Sequence, residues 1–312
     1  MDIIHYPGDA PPPQWTQAVL ALGNFDGLHR GHAKIVERVR RRALELAATA
    51  AVLTFDPHPP RVVRPDRAPA LLMTLGQKLD CLAQAGMGGA AIVRFTPELS
   101  RWEPETFVRN VLVDWLSVAE VWVGDNFLFG HDRSGNFSLL RSLGARFGFR
   151  VEKVAPVRYK EFVVSSTRIR RLVDEGDVDE AGALLGHHYF IDGEVVPGAG
   201  RGRGQGFPTA NLRTENEILP PDGVYAAAVT VDRLIHPAVT NVGLRPTFEM
   251  NGERVVEAHL FDYDEDLYGR RVRLAFVRRL RGERAFPDAR ALQRQIVADC
   301  EQARALFGRM SL

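Results

Sequence analysis

The sequence predicts an α/β domain with a parallel sheet, followed by a small antiparallel β-barrel and one C-terminal helix. Three observations predict this order. Apolar strand-like runs alternate with helical patterns over residues 18 to about 155. Strand-like segments joined by turns then occupy residues 188–277, and an amphipathic pattern follows at residues 288–307. Alternating strands and helices are typical of a parallel sheet covered on both faces, whereas consecutive strands with tight turns are typical of a barrel.

The predicted strands of the first domain are short apolar runs that each lead into a loop. They lie at residues 18–22, 51–55, 90–95, 121–123 and 151–154. Helical patterns occupy residues 35–46, 78–85, 104–112 and 139–147. Because ligands bind beyond the carboxyl ends of parallel strands, the loops that begin at Gly23, Asp56 and Gly124 are expected to converge on one cleft.

The second predicted domain follows a short helix at residues 177–185, which Gly186 ends. Its strand-like segments lie at residues 188–191, 224–231, 235–242, 255–261 and 272–277. Pro-Asp-Gly and Asn-Gly sequences between them are typical of turns. The final helix carries its apolar side chains on one face, namely Leu292, Ile296, Cys300, Ala303 and Phe307. The change in pattern predicts domains at residues 1–183 and 184–312.

The loop after the first long apolar strand reads Gly-Asn-Phe-Asp-Gly-Leu-His-Arg-Gly-His, residues 23–32. Its glycines allow the backbone to approach a ligand, and the free N–H groups of the following helix favour an anion. His29 and His32 are three residues apart and share one face of that helix. Two surface histidines or half of a zinc site would fit the same spacing. Since neither a zinc-helix motif nor a nearby Cys pair accompanies them, phosphate handling is the favoured interpretation.

A second polar motif, Ser-Ser-Thr-Arg-Ile-Arg at residues 165–170, opens another helical pattern. A helix N-cap would explain one hydroxyl, and solvent exposure would explain the arginines. Three hydroxyls and two arginines in six residues exceed what a cap requires. Hydroxyl and guanidinium groups together suit a polyphosphate.

The densest glycine run, residues 198–206, leads directly into Phe-Pro-Thr-Ala-Asn. It matches neither the dinucleotide-binding fingerprint nor the P-loop, and a surface loop would explain its glycines. However, Thr209 and Asn211 carry oxygens that can ligate Mg²⁺, and glycines could wrap a phosphate chain. Glu257, on a predicted strand, would in isolation be a solvated surface residue.

Composition and charge limit the possible partners. The formal net charge of +1 gives no general attraction to nucleic acid or to an anionic membrane. No apolar run approaches the roughly 18 residues of a membrane-spanning helix, and the first residues lack the order of a signal peptide. We therefore expect a cytoplasmic protein without nucleic-acid or membrane partners, whose oligomeric state is open.

Residues 23–32 resemble the nucleotide motif of the nucleotidyltransferase superfamily. Together with residues 165–170 they resemble bacterial bifunctional riboflavin kinase/FMN adenylyltransferases. Residues 202–212, 240–248 and 257–262 resemble three motifs of riboflavin kinases, so the resemblance extends over both halves. It implies a Rossmann-like nucleotidyltransferase domain followed by a riboflavin kinase barrel. The second domain would form FMN from riboflavin and ATP, and the first would form FAD and pyrophosphate from FMN and ATP.

The resemblance also implies roles for particular residues. In the second domain, Glu257 would be the catalytic base, while Thr209 and Asn211 would hold Mg²⁺. In the first domain, His29 and His32 would stabilise charge at the α-phosphate of ATP. The residues expected to contact nucleotide or flavin are Gly23, Asn24, Phe25, Asp56, His58, Asn126, Ser166, Thr167, Arg170, Gly202, Arg203, Gly206 and Arg245.

Two other functions remain to be weighed. The chain could keep both folds and only one activity, or it could bind flavin as a sensor without turnover. Intact motifs in both halves argue against the first. A sensor would be expected to lack His29, Glu257 or the glycine-rich loop, and all three are present.

Overall fold

The computed structural model of the chain describes residues 1–15, 17–198, 207–244 and 254–310. The chain forms two compact units, Met1–Ser165 and Ser166–Leu312. The domain boundary expected after residue 183 stays a prediction, because compactness alone does not define where an independently folding domain ends.

The first unit is built on a six-stranded parallel sheet, as the alternating pattern predicts. The strands are β1 (Asp2–Tyr6), β2 (Val19–Leu22), β3 (Ala50–Asp56), β4 (Gly89–Arg94), β5 (Glu120–Gly124) and β6 (Arg150–Val154). Their order across the sheet is β1-β4-β3-β2-β5-β6. The sequence did not predict β1. This edge strand buries only Ile4, so it shows no apolar run.

Helices cover this sheet. They are α1 (Arg30–Glu45), Pro59–Val63, α2 (Leu75–Gln84), Pro104–Phe107 continued by a π-helix at Val108–Trp115, and α3 (Phe137–Phe147). Single 3₁₀ turns lie at Pro13–Trp15, Pro65–Arg67, Leu99–Arg101 and His131–Arg133. Short antiparallel ribbons pair Leu128–Phe129 with Gly135–Asn136, and Arg158–Tyr159 with Phe162–Val163.

The periodicity of α1 predicted its buried residues, except at the last position. Ile35, Val36, Val39 and Ala43 form its buried face, as expected. Leu46 was expected on the same face, and this is wrong. It follows the last helical residue as the C-cap and remains 42% exposed.

The strand order places three loops beside one another. β2 lies between β3 and β5, and all three strands run parallel. The loops that begin at Gly23, Asp56 and Gly124 therefore leave neighbouring strands at the same edge of the sheet. The chain turns from β2 to β3 on one side and reaches β5 on the other, so the loop after β2 lies at the topological switch point where such sheets bind ligands.

The second unit begins with α4 (Ser166–Glu175) and α5 (Val178–Leu185) and continues into a closed barrel. The barrel strands are β7 (Tyr189–Val196), β8 (Ala210–Thr214), β9 (Gly223–Val231), β10 (Leu234–Leu244), β11 (Arg254–Leu260) and β12 (Arg271–Gly282). They pair antiparallel in the order β7-β8-β11-β10-β9-β12, and β12 closes onto β7. The predicted barrel is confirmed. Strand β8 was not predicted, because its polar residues follow the glycine-rich run.

Helix α6 (Ala289–Phe307) packs on the outside of this barrel. Ala303 and Phe307 are buried against barrel residues that include Val239, which confirms the C-terminal half of the predicted apolar face. Its N-cap is Asp288, whose carboxylate accepts the N–H of Ala291 at 2.7 Å.

Candidate active sites

His29 caps the helix that follows the turn at residues 23–32. Its Nδ1 accepts the backbone N–H groups of Gly31 at 3.1 Å and His32 at 3.3 Å. A ring nitrogen that accepts hydrogen bonds carries no proton, so the neutral ring holds its proton on Nε2. The histidine thus satisfies two of the free N–H groups of α1 and keeps an N–H donor of its own.

The rings of His29 and His32 stack, with centroids 3.7 Å apart and planes at 13°. The expectation that they share one face is therefore confirmed. Burial lowers the pKa of His32 well below its usual value, and the neighbouring His29 and Lys78 lower it further. Among the described residues, none donates to or accepts from the buried Nδ1 of His32. His32 is consequently a neutral imidazole at pH 7.

The turn itself is anchored by Asp26, which the sequence did not single out. Its carboxylate is 2% exposed and accepts the N–H groups of Leu72 at 3.0 Å and Met73 at 3.2 Å. Phe25 is fully buried and adopts a left-handed φ of 52°. The zero exposure includes the backbone, so Phe25 is a core residue, and its expected contact with a ligand stays a prediction.

The other candidate residues of the first unit lie on the loops at the carboxyl edge of the sheet. Asn24, Asp56 and Asn126 are exposed, while Gly23 and His58 are half-buried. Asp56 is the last residue of β3, and the other four residues follow β2, β3 or β5. Solvent-accessible polar groups at this edge are available to a nucleotide or flavin.

The second polar motif opens α4, in the second unit. The helix begins at Ser166, and the expected apolar residues Ile169, Leu172 and Val173 are buried. Thr167 is exposed, and Ser166 and Arg170 are half-buried. The role of these three residues in holding ATP phosphates stays a prediction.

The barrel aligns candidate kinase residues in one row. Asn211 on β8 lies opposite Glu257 on β11, and Glu257 lies opposite Asn241 on β10. Residues directly opposite each other in antiparallel strands share a face of the sheet. The neighbouring row of Ala210, Ala258 and Thr240 faces the other way. Asn241 was not named as a candidate, because a turn between consecutive strands indicates that they pair but does not fix their register.

Two details describe the chemistry of this row. The Oδ1 atom of Asn211 is buried and has no hydrogen-bond partner among the residues that the structure describes. The side chains of Asn241 and Glu283 both approach Gly243, because a Cβ atom placed on this glycine would lie 3.4 Å from Asn241 Nδ2 and 3.4 Å from Glu283 Oε1. Glu283 therefore adds a second carboxylate beside the row. An orphan carbonyl oxygen beside a carboxylate suits a bound cation.

A cavity of about 400 Å³ opens beside Thr209. Tyr263 and Tyr268 line it together with three acidic residues, Asp264, Glu265 and Asp266. Four predicted site residues, Gly202, Arg203, Gly206 and Arg245, lie outside the described residues. Within the described ranges, no three His, Cys, Asp or Glu side chains are grouped as a metal site. No helix in those ranges is long and apolar enough to cross a membrane.

Two candidate sites thus lie on two different folds, one at a helix start beside two histidines and one at a row of oxygen-bearing side chains in the barrel. The class of protein that such a pair of sites fits is a bifunctional transferase. A family model described as FAD synthetase matches residues 12–168, and one described as riboflavin kinase matches residues 185–307. The chain belongs to the bifunctional riboflavin kinase/FMN adenylyltransferase family. It combines a kinase with a nucleotidyltransferase in the predicted order, and both reactions use ATP as co-substrate.

Individual relatives agree with this membership. A bifunctional riboflavin kinase/FMN adenylyltransferase of Pseudomonas fluorescens is 38% identical, over 94% of this chain and 94% of its own. That of Bacillus subtilis is 35% identical, over 99% of each chain. A crystal structure from Streptococcus pneumoniae, described there as a macrolide-efflux protein, covers all of both chains with a TM-score of 0.89 and 28% identity. That description concerns the Streptococcus protein, and the likeness supports the fold.

Proposed function

We propose that the chain makes FAD in two steps, with one phosphate-handling site in each half. The barrel site transfers the γ-phosphate of ATP to the ribityl 5′-hydroxyl of riboflavin, which gives FMN. The site of the parallel sheet then joins the FMN phosphate to the α-phosphate of a second ATP, which gives FAD and pyrophosphate. Family membership supports the two reactions, and the row of Asn211, Glu257 and Asn241 carries the assignment of the kinase site.

Glu257 is the proposed base of the kinase reaction. Its half-buried carboxylate projects from β11 beside the orphan oxygen of Asn211. A carboxylate in this place accepts the proton of the riboflavin hydroxyl as that oxygen attacks the γ-phosphate. The bond to ADP breaks, and ADP leaves with the electron pair.

Thr209 and Asn211 are proposed to hold Mg²⁺. The buried, unpartnered Oδ1 of Asn211 fits a cation, and Thr209 adds a hydroxyl two residues earlier. Two protein oxygens are sufficient, since Mg²⁺ takes most of its other ligands from water and phosphates. When bound, the ion neutralises charge on the transferred phosphate.

The cavity beside Thr209 is proposed to receive the nucleoside end of ATP. Its two tyrosine rings can stack on a base, and its carboxylates can accept hydrogen bonds from ribose hydroxyls. The same carboxylates repel a triphosphate. We therefore assign the phosphates to Gly202, Arg203, Gly206 and Arg245, whose glycine backbone and guanidinium groups suit phosphate, and not to this cavity.

In adenylyl transfer the FMN phosphate is itself the nucleophile, so no covalent enzyme intermediate is needed. We assign the N–H groups of His29 and His32 to the α-phosphate, and Ser166, Thr167 and Arg170 to the β- and γ-phosphates. The proposed contacts also include Gly23, Asn24, Phe25, Asp56, His58 and Asn126. Localisation in the cytoplasm without nucleic-acid or membrane partners stays a prediction from the sequence.

Incubating the chain with riboflavin, ATP and Mg²⁺ is expected to give FMN and then FAD, separated by chromatography. Supplying FMN in place of riboflavin tests adenylyl transfer alone. If riboflavin gives FMN but no FAD, and supplied FMN gives no FAD either, the single-activity alternative is supported. If neither product forms in a folded protein, the proposed function is wrong.

Asn211→Leu is expected to raise the Mg²⁺ concentration for half-maximal FMN formation by about tenfold or more, because a ligand oxygen is lost. Asn211→Asp keeps an oxygen at the same place and should remain near the original requirement. FAD formation from supplied FMN is the internal control, and its Mg²⁺ dependence should not change. An unaltered Mg²⁺ requirement of the Leu variant for FMN formation would remove Asn211 from the metal site.

A further inference from the structure

Lys78 is a buried cation that the reactions described above do not use. It lies on α2, and only 6% of its surface is exposed. Its Nζ donates to Thr54 Oγ1 at 3.3 Å, and the same hydroxyl donates to the carbonyl oxygen of Asn24 at 3.2 Å. Thr54 lies near the carboxyl end of β3. A hydrogen-bonded chain therefore runs from α2 to the turn at residues 23–32.

A second connection links α2 with the same turn. Asp26 accepts N–H groups from Leu72 and Met73, which directly precede Thr74, the N-cap of α2. Thr74 and Gln77 form a capping box that fixes the start of the helix. Two connections thus join the turn to the first part of α2. One runs through Asp26, and the other runs from Lys78 through Thr54 to Asn24.

The charge of Lys78 has carboxylate neighbours but few hydrogen-bond partners. The pKa of the Lys78 ammonium is lowered, chiefly by burial, while the charges of Asp26 and Asp56 act in the opposite direction and favour the charged form. An ammonium has three N–H donors, and among the described residues only Thr54 accepts from it. Burying a charge with so few partners costs free energy. A charge kept at this cost beside a candidate ligand-binding turn points to a functional role.

The two histidines of the turn, His29 and His32, do not supply positive charge in the free protein. His29 Nδ1 accepts two backbone N–H groups, and His32 is kept neutral by burial and by its neighbours His29 and Lys78. Both rings therefore act as N–H donors. Adenylyl transfer concentrates negative charge around the α-phosphate, which needs positive charge as well as donors.

We propose that Lys78 is a positioning residue for adenylyl transfer. It holds the turn at residues 23–32 in place through Thr54, and it supplies positive charge close to this turn, which the two histidines do not provide. The inference rests on the proposed function, in which this turn binds the ATP phosphates. An FMN phosphate oxygen bonds to the α-phosphorus as its bond to pyrophosphate breaks, and pyrophosphate leaves with the electron pair. Lys78 neither gives nor takes a proton.

Lys78→Met, which removes the charge at similar length, is expected to lower kcat for FAD formation by about 10- to 100-fold, less than loss of a direct donor. Lys78→Arg keeps the charge and should retain most of the rate. Thr54→Val breaks the connection to Asn24 but leaves the charge, so its loss should be smaller. FMN formation by the barrel site should be unchanged in all three variants. Wild-type FAD formation by Lys78→Met would overturn the proposal.

The pKa of His32 provides a readout that a purely structural lysine would not move. Followed through the imidazole proton resonances, the pKa of His32 should rise in Lys78→Met, because a nearby like charge has been removed. It should remain low in Lys78→Arg and in Thr54→Val, where His29 and the lysine or arginine charge still face His32. An unchanged pKa of His32 in Lys78→Met would show that the charge of Lys78 does not act on His32.

Two controls keep the result interpretable. All four tryptophans, Trp15, Trp102, Trp115 and Trp122, lie in the first unit, so tryptophan fluorescence reports whether that unit is folded. If Lys78→Met is unfolded, Lys78→Gln takes its place with the same expected results. Unimpaired FAD formation in His32→Ala would contradict the proposed site itself. Loss in His32→Ala together with a normal rate in Lys78→Met would contradict only the role of Lys78.

Discussion

Glu257→Gln is expected to lower FMN formation by about 10²- to 10⁴-fold while FAD formation from supplied FMN continues at its original rate. The amide keeps the shape and place of the side chain opposite Asn211 but cannot accept a proton from the riboflavin hydroxyl. Separate assays with riboflavin and with FMN, each with ATP and Mg²⁺, measure the two rates on one preparation.

Glu194→Gln is the matched control for this experiment. Glu194 lies on the barrel strand β7 and pairs with Arg213 at 2.7 Å, and its side chain is 43% exposed. Exposed ion pairs contribute little to stability, so this variant should retain both activities. Wild-type FMN formation in Glu257→Gln would show that another group, or water alone, accepts the proton. Loss of both activities in a folded Glu257→Gln chain would contradict the separation into two sites.

His32→Ala is expected to lower FAD formation by about 10²- to 10³-fold and to leave FMN formation intact. The reason is the loss of one N–H donor placed at the start of α1, where the α-phosphate is proposed to bind. His32 is a better choice than His29 for this test. His29 also caps α1, so its removal would combine the lost donor with about 0.5–2 kcal/mol of lost helix stability.

His5→Ala controls for the loss of a histidine from the same unit. The His5 side chain is 60% exposed and contacts Asp9 at the surface. It lies on the edge strand β1, which β4 and β3 separate from β2 and its loop. Its FAD and FMN formation should both match the original protein. Normal FAD formation in His32→Ala would remove the proposed phosphate contact. If His5→Ala and His32→Ala lose FAD formation equally, the cause is a general loss of stability of the first unit and not the loss of a phosphate contact.

Local patterns predicted the elements where burial is periodic and uninterrupted. The apolar face of α1 repeats at the helical period, and the apolar runs of β2, β3 and β4 are uninterrupted because both faces of these strands are buried. The pattern did not predict β1, which buries one residue, or β8, whose polar Asn211 follows glycines. Both strands are held by pairing with distant segments, and a local pattern contains no information about such partners.

The sequence by itself determined the two fold types, their order and the chemical groups of each motif. It placed His29 with His32, and Thr209 with Asn211, because these residues are close along the chain. Only the tertiary structure decided which distant residues meet. It placed Asn241 opposite Glu257, linked Lys78 through Thr54 to Asn24, and buried Asp26 against the start of α2. Strand register and helix packing fix these contacts, and both depend on the burial of the whole core.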